Sequence, residues 1–533
     1  MTARRGRPMD RRLRVRGWLR TETPLHVGGA ALNPAEALPV AVDGQDRIYV
    51  PGSSLAGALR NWMRGADPNT EHLDSLWGYA EDGVPDSGHA SRVVVHDAFI
   101  TTTTAVGVGG APADPLPSGG LPVRFGVGID RVTGAAAPAF LYARTVVPPG
   151  HYLSLELDVE TAETGFDRER DRLGVLLEAL RSHRIALGAA TSTGLGRVSL
   201  LPSPFAIYEH DFTSPDGLMS FLLGEQTQFD ESRMRPDEAV LPDRRELLTV
   251  TLRWRPAAPV MVQAAGEGAA IKALPLTTAV TGEDVALVLS GSSIKGVLRG
   301  HAEFVERTAR GVDAPIPPLG EADRTTIAAS TRTFLAQLNE LPAVRALFGA
   351  ARIDHDYEQR HPWGNGALTA HECVSLTPVP GNIWKVLADG MSDRDTGGQT
   401  VLPAHMRAVL AELGIEQADH VAIDRWTGSA ADSLLFSVLE PHGVQWEPIR
   451  LTVDLTRLGR YRRPALALLL LILRDLDQGR IPLGGMVNRG FGDVSIEKIE
   501  FAGNGWDGGT SLAAALATPA LAEAWSAYLE EPP

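Results

Sequence analysis

The alternation of apolar and polar positions marks out two comparable halves of this chain. Residues 13–20 and 247–254 read as β-rich openings of the two halves. Residues 142–147 and 153–159 alternate as half-buried strands do. Longer apolar patterns predict helices over residues 167–184 and 464–476. Pro464 is expected as the first helical residue, where its missing N–H removes no hydrogen bond. The longest apolar run, residues 465–473, is nine residues and too short to cross a bilayer, so it reads as one buried helix.

The motifs repeat in the same order. Pro51-Gly-Ser-Ser-Leu-Ala-Gly-Ala-Leu-Arg60 returns as Ser290-Gly-Ser-Ser-Ile-Lys-Gly-Val-Leu-Arg299. Val93-Val-Val-His-Asp-Ala98 returns as Leu368-Thr-Ala-His-Glu-Cys373, and Ile129-Asp-Arg-Val-Thr-Gly134 as Ile423-Asp-Arg-Trp-Thr-Gly428. Leu187-Gly-Ala-Ala-Thr-Ser-Thr-Gly-Leu-Gly196 returns as Leu483-Gly-Gly-Met-Val-Asn-Arg-Gly-Phe-Gly492. The offset grows from 239 to 275, 294 and 296, so the second copy gains about 36 residues and then about 19, both in the gaps between motifs. Repeats of this length mean one structural unit used twice.

Each copy runs strand, Gly-Ser-Ser turn, short helix, extended segments, long helix, Gly-rich loop, strand. That is the ferredoxin-like α+β order, an antiparallel sheet with helices on one face. The reading predicts a first domain over residues 10–203, an acidic connector over 204–245, a second domain over 246–502 with larger insertions, and a helical tail over 503–533.

Composition narrows the function classes. The chain has 533 residues, 44% hydrophobic and 22% charged, which suits two to four globular domains. A single cysteine, Cys373, excludes an internal disulfide and fits a reducing cytoplasm. The basic residues 1–20 lack an apolar segment behind them and do not read as a secretory signal. A net charge of −15 argues against an autonomous, nonspecific nucleic-acid binder, but leaves room for local contact. Basic residues cluster at 4–20, 168–184 and 457–463, and acidic ones at 209–246, read as a solvated connector.

Two motifs are candidates for holding phosphate. Ser53 and Ser54, and their counterparts Ser292 and Ser293, sit at or just before a helix N-terminus, where free backbone N–H groups favour anions. Arg60, Arg299 and Lys295 follow within two turns. The alternative is an ordinary N-cap on a buried helix of small residues. The second motif is the Gly-rich loop, with Gly194 and Gly196 in one copy and Gly490 and Gly492 in the other. Glycine permits close backbone approach. Thr191, Ser192 and Thr193, or Asn488 and Arg489, would then reach phosphate or sugar, unless the loop only docks the last strand. A P-loop is excluded, because the order is helix, loop, strand and no Gly-Lys-Ser/Thr follows. The Ile-Asp-Arg-x-Thr-Gly segments are expected to precede a strand pair, with Asp130–Arg131 and Asp424–Arg425 pairing with each other or with turn amides. His355, His361, His371 and Cys373 match no standard zinc spacing, and the last two fall on a predicted strand.

These motifs together resemble the Cas7-like RAMP family of type III CRISPR systems. The family pattern opens with a Leu-His-Ile-Gly-Gly-like turn, here Leu25-His-Val-Gly-Gly29 and, more loosely, Pro259-Val-Met-Val-Gln263. The Gly-Ser-Ser helix, the Ile-Asp-Arg segment and the final Gly-rich loop follow. The likeness covers roughly residues 13–203 and 246–502. It implies two tandem RRM-like domains that line crRNA at two adjacent positions of a type III (III-D-like) effector filament and contribute to target RNA binding in antiviral defence. It also implies partners: Cas10-like, Cas5-like and further Cas7-like subunits, and no membrane. Hairpin "thumbs" that kink the guide–target duplex would fall within residues 99–128 and 374–422, which are poor in aromatics and suit wedges more than stacking platforms.

In nuclease members of the family an aspartate lies two residues before a Pro-Val. Here the frames read Glu36-Ala37-Leu38-Pro39-Val40 and Lys272-Ala273-Leu274-Pro275-Leu276, so alanine stands in both places. The expectation is an RNA-binding scaffold with no cofactor. The alternative is an endoribonuclease using Glu36 or a loop aspartate with Mg2+. A third reading is a RAMP-like protein that processes or carries RNA elsewhere. His26 aligns with Met261, which makes a shared catalytic histidine implausible.

Overall fold

The computed structural model describes residues 9–30, 36–67, 71–80, 88–107, 110–264, 271, 273–280, 282–318, 323–351, 364–389, 393–394 and 400–531. It is a mixed α+β protein with antiparallel sheets, and it divides into two compact units. The first comprises Met1–Pro122, Thr145–Thr191 and Leu195–Arg245; the second comprises Val123–Arg144, Ser192–Gly194 and Glu246–Pro533.

In the first unit the opening strand Arg11–Thr21 is central. It runs antiparallel to Tyr152–Thr161 on one side and to Ala206–Asp211 and Val198–Leu200 on the other. Val93–Val95 and Ala98–Thr101 then pair with Tyr152–Thr161. Leu13, Val15 and Leu19 point into the core with Leu153, Leu155, Leu157 and Val159. Helices Gly52–Arg64 and Phe166–Arg181 contribute Leu55, Leu59 and Met63, and Leu173, Leu176, Leu177 and Leu180, to that core. Each such side chain stabilises the fold by about 1.5–3 kcal/mol when fully buried.

The opposite face of the sheet carries a charge ladder. Register places Arg12 opposite Glu160, Arg14 opposite Asp158 and Arg16 opposite Glu156. Arg12 lies 2.9 Å from Glu160, and Arg14 holds Asp158 through two bonds of 2.7 Å. Arg11, outside this row on the face that Leu13 shares, meets Glu163 at 2.6 Å and Glu209 at 2.7 Å. A one-residue slip would turn this charged row into the core, so the ladder and the apolar face enforce the same register. Arg12, Arg14 and Arg16 of the basic cluster therefore serve the sheet.

The acidic stretch 204–245 is not a solvated connector. Ala206–Asp211 extends the first sheet, and Phe229, Met234 and Leu241 are buried in the first core. Its carboxylates pair with the end of the second basic cluster: Arg181 meets Glu231 at 2.5 Å, and Arg184 bonds Glu238. Hydrophobic residues spaced among the acids supplied the anchor.

The second unit repeats the arrangement. Its sheet runs Leu368–Ala370, Ile449–Asp454, Leu247–Pro256, Val494–Gly503, all antiparallel. The first unit has the corresponding strands in the same order. Helices Gly291–Arg310 and Arg462–Asp477 share its core, and the run 465–473 lies within the latter. That helix starts two residues before Pro464, after a turn at Gly459–Tyr461. The extra residues of the second copy include helices Arg324–Asn339, Gly381–Asp389 and Ala404–Glu412. Helix Pro519–Glu530 of the tail buries Leu521 and Tyr528 in the second core.

Two long hairpins stand outside these sheets. Val123–Ile129 pairs with Ala136–Thr145, and Ile415–Ile423 pairs with Ala430–Pro441. The Ile-Asp-Arg motifs sit at their tips, between the paired strands and not before them. Residues 123–144 of the first hairpin group with the second unit.

Candidate nucleic-acid interface

The two Gly-Ser-Ser helices start in the same way. A Cβ on Gly52 would lie 2.2 Å from the Val95 carbonyl oxygen, and one on Gly291 would lie 2.3 Å from that of Ala370. Val95 and Ala370 are themselves repeat partners, so the duplication extends to individual backbone contacts. Only glycine fits where a strand passes this close.

The helix starts differ in what occupies them. The Gly52 amide donates to the Asp97 carboxylate at 2.7 Å, so a protein anion already uses the favourable helix end. Ser53 and Ser54 are exposed beside it. In the second copy Ser290 is the N-cap: its hydroxyl accepts from the Ser293 amide at 3.3 Å and contacts the Ser292 hydroxyl at 3.1 Å. Ser292 is exposed and Ser293 half-buried. The sequence reading passed over Asp97, although an acid recurs at its repeat position as Glu372.

The basic side chains of these helices serve the protein. Arg60 pairs with Asp74 at 3.3 Å. Lys295 is buried and donates to the Leu368 carbonyl at 2.7 Å. Burial, helped by the charges of Arg299 and Arg457, pulls its amine down to about 8. Because that value lies below the free lysine value of about 10.4, the charged amine opposes folding at neutral pH, and the penalty fades as pH rises from about 8 towards that value. Arg299 holds Glu303 at 2.8 Å and the Leu338 carbonyl at 2.6 Å. Lys295 and Arg299, expected near phosphate, are thus turned inward, which leaves the serine hydroxyls and remaining amides as the exposed groups.

The Gly-rich loops form one-turn helices at Thr191–Thr193 and Val487–Arg489. Their second glycines dock the last strand: a Cβ on Gly196 would lie 1.9 Å from the Leu187 carbonyl oxygen, and one on Gly492 would lie 2.8 Å from that of Leu483. The first glycines part company. Gly194 packs on the backbone of Glu372, whereas Gly490 faces open space. Thr193 brings its carbonyl against Gly291. Within the second unit, Ser192, Thr193 and Gly194 therefore lie beside the helix start that carries Ser292 and Ser293. Asn488 and Arg489 are exposed, and the Arg489 guanidinium sits 4.9 Å from the Phe436 ring centre. Glu372, at this junction, has its carboxyl raised by burial, with Arg124 at 3.9 Å opposing the shift.

The hairpin tips are built alike. One oxygen of Asp130 accepts from the amides of Val132 and Thr133 at 3.0 and 2.9 Å; Asp424 accepts from Trp426 and Thr427 at 3.0 and 2.7 Å. The turn-amide alternative for these aspartates is the one the structure adopts. Burial pushes the Asp130 carboxyl up, but hydrogen bonds from Thr133, Val132 and Gln337 outweigh it and hold the group below the usual carboxylate range. Arg131 and Gln337 are engaged as well: Gln337 Oε1 accepts from the Arg131 amide at 3.1 Å, and Arg131 forms an ion pair with Glu303. Phe140 meets Phe334 edge-on at 4.5 Å.

The alanine positions offer no metal ligand. Ala273 is buried and bridged to Val438. Glu36 is exposed. Asp43 is used by the amides of Gln45 and Arg47 and by the Arg47 guanidinium, and Asp46 accepts from Ser118. Among the described residues no group of three or more His, Cys, Asp or Glu side chains could hold a metal ion. His355 and His361 lie outside the described residues. His371 bonds Thr452 at 2.9 Å. Cys373 donates to the Glu447 carbonyl at 3.0 Å, and burial pushes its thiol up to about 12. At pH 8 the native chain is expected to leave Cys373 unmodified by a thiol-exchange reagent, while denaturant releases one reactive thiol per chain. Fast labelling of the native chain would contradict this placement.

Among the described residues no helix is long and apolar enough to cross a membrane. No curated protein matches the chain. The sequence profile of the RAMP superfamily matches residues 18–199 and 281–495, one match on each copy of the repeat and together most of the chain. The chain belongs to the RAMP superfamily, and it does so as a protein of two RAMP domains.

Proposed function

We propose that this chain is a Cas7-like, CRISPR-associated backbone subunit that binds crRNA at two adjacent positions of a type III (III-D-like) effector. It would contribute to target RNA binding without cutting it. Each copy is read as a ferredoxin-like domain, supported by the shared strand order of the two sheets. The two hairpins are read as the thumbs. Their paired strands lie at and beyond the ends of the stretches where the resemblance put them.

One observation carries the reading. Ser192, Thr193 and Gly194 of the first copy lie against the second copy's Gly-Ser-Ser helix start, inside one unit. The candidate phosphate-binding groups of two successive repeats thus meet, which is what a guide running continuously over both copies requires. Backbone amides and hydroxyls read a phosphodiester chain without reading its sequence. The charge of −15 is compatible with this, because binding uses local groups and not a global field. Ala37 and Ala273 support the scaffold role, since neither can move a proton or ligate a metal.

The test is co-expression with the neighbouring genes and a CRISPR array, followed by sequencing of the RNA that co-purifies and incubation with matching target RNA. The expected result is repeat-derived RNA and intact target. Absence of repeat-derived RNA would sink the scaffold reading. Target cuts at a fixed interval, lost in Glu36→Ala, would replace it with the nuclease alternative.

A further inference from the structure

The duplicated hairpin tip is docked in one copy and open in the other. At the first tip Asp130 is 4% exposed, Arg131 is paired with the buried Glu303, and Val132 is half exposed. At the second tip the same turn is made, yet Arg425 is exposed and Trp426 is 96% exposed. The neighbouring loops show the same asymmetry. Ser192–Gly194 packs against a Gly-Ser-Ser helix start, whereas Gly490 faces open space and Asn488 and Arg489 are exposed. Two separate elements of the second copy therefore lack the cover that their first-copy counterparts have.

We propose that the second hairpin tip, through Arg425 and Trp426, docks on a different RAMP-fold subunit that presents a carboxylate from its Gly-Ser-Ser helix. The partner's chemistry is read from the docked copy. There the tip arginine is met by Glu303, twelve residues after the helix glycine Gly291. A second copy of this chain does not offer that group, because its Glu303 already holds its own Arg131. The helix alignment that pairs Gly52 with Gly291 places Arg64 where Glu303 stands. Arg425 would then face a cation, and like charges across an interface reject the wrong partner. Tryptophan and arginine are the side chains that most often dominate binding energy, and a wholly exposed tryptophan offers a large area to a pocket. The duplication thus makes one docked tip and leaves one heterotypic end.

This inference rests on the chain acting as an assembly subunit and names the partner at its open end. The full-length chain is co-expressed with the RAMP-fold subunits encoded beside it, and partner recovery and bound RNA are measured separately. Wild type is expected to be monomeric alone and to retain one such subunit. Trp426→Ala and Arg425→Glu are expected to weaken retention by about 30-fold or more, with no change in melting temperature because both side chains are exposed. Changing the partner's helix carboxylate to arginine is expected to restore binding of Arg425→Glu. Undiminished partner retention by both variants would overturn the proposal. So would self-association of the wild-type chain that Trp426→Ala abolishes, or loss of RNA with the partner retained, which would assign the tip to nucleic acid. If the partner is held but no repeat-derived RNA is found, the guide-binding reading fails while this one stands.

Discussion

Replacing Tyr528 with phenylalanine is expected to lower the melting temperature of the second unit by about 5–10 °C. The ring is 3% exposed, and the change removes only the hydroxyl. That hydroxyl donates to Glu306, which is 0% exposed, and accepts from the Ala343 amide at 3.2 Å. Glu306 also accepts from the Val344 amide at 2.9 Å, with Arg310 at 3.7 Å. Without the hydroxyl, a buried carboxylate loses a donor and a buried amide loses its acceptor. Hydrogen bonds to charged groups contribute about 1.5–3 kcal/mol, and an unpaired buried group costs about 1–3 kcal/mol, so a total near 3 kcal/mol is expected. The sign with pH is also determined. Burial raises the Glu306 carboxyl above its ordinary range, and the tyrosine hydroxyl is a group that lowers it again. A folded-state value above the unfolded one costs stability as pH rises past the unfolded value near 4.3. Removing the hydroxyl raises the folded value further, so the deficit should be larger at pH 8 than at pH 5. Melting curves at the two pH values check this, and an equal deficit at both would show that the carboxylate is not the burdened group.

The largest local effect is expected at Gly196. Gly196→Ala places a Cβ 1.9 Å from the Leu187 carbonyl oxygen at a φ of +81°. The backbone there cannot yield cheaply, because the Gly196 amide donates to Pro24 and its carbonyl accepts from Leu187, each at 2.8 Å. Relieving the clash breaks both bonds and releases the last strand of the first unit. A loss above about 4 kcal/mol is expected, in the exceptional class of single substitutions. Gly490→Ala is the control. Its φ is +84°, but nothing lies within 4 Å of the added atom. Only the left-handed conformation is then penalised, by about 1–2 kcal/mol. Denaturant unfolding of the two variants separates close approach from backbone angle, and equal losses would refute the steric account.

The contrast between these glycines shows where sequence reading stops. Gly194 and Gly490 are identical in motif and spacing, and only the packing of Glu372 on the first distinguishes them. The serine pairs and the Asp130 and Asp424 turns were legible because their partners lie within a few residues. The inward turn of Lys295 and Arg299 was not, because their partners Leu368 and Leu338 lie far along the chain. Asp97 was legible in principle, as an acid kept in both copies, but its bond to Gly52 spans 45 residues.

By itself the sequence determined the duplication and the order of elements in each copy. These follow from local periodicity and from motifs whose geometry closes within a turn or a strand pair. Tertiary structure alone decided which charges are available. The basic clusters left room for local RNA contact, yet in two of them Arg12, Arg14, Arg181 and Arg184 meet Glu160, Asp158, Glu231 and Glu238. It also decided that residues 123–144 and 192–194 belong with the second unit, which leaves Trp426 exposed at the other tip. The physical reason is common to both. Composition records how many charges and apolar groups a segment has, but whether each is satisfied depends on groups that only the folded chain brings within reach.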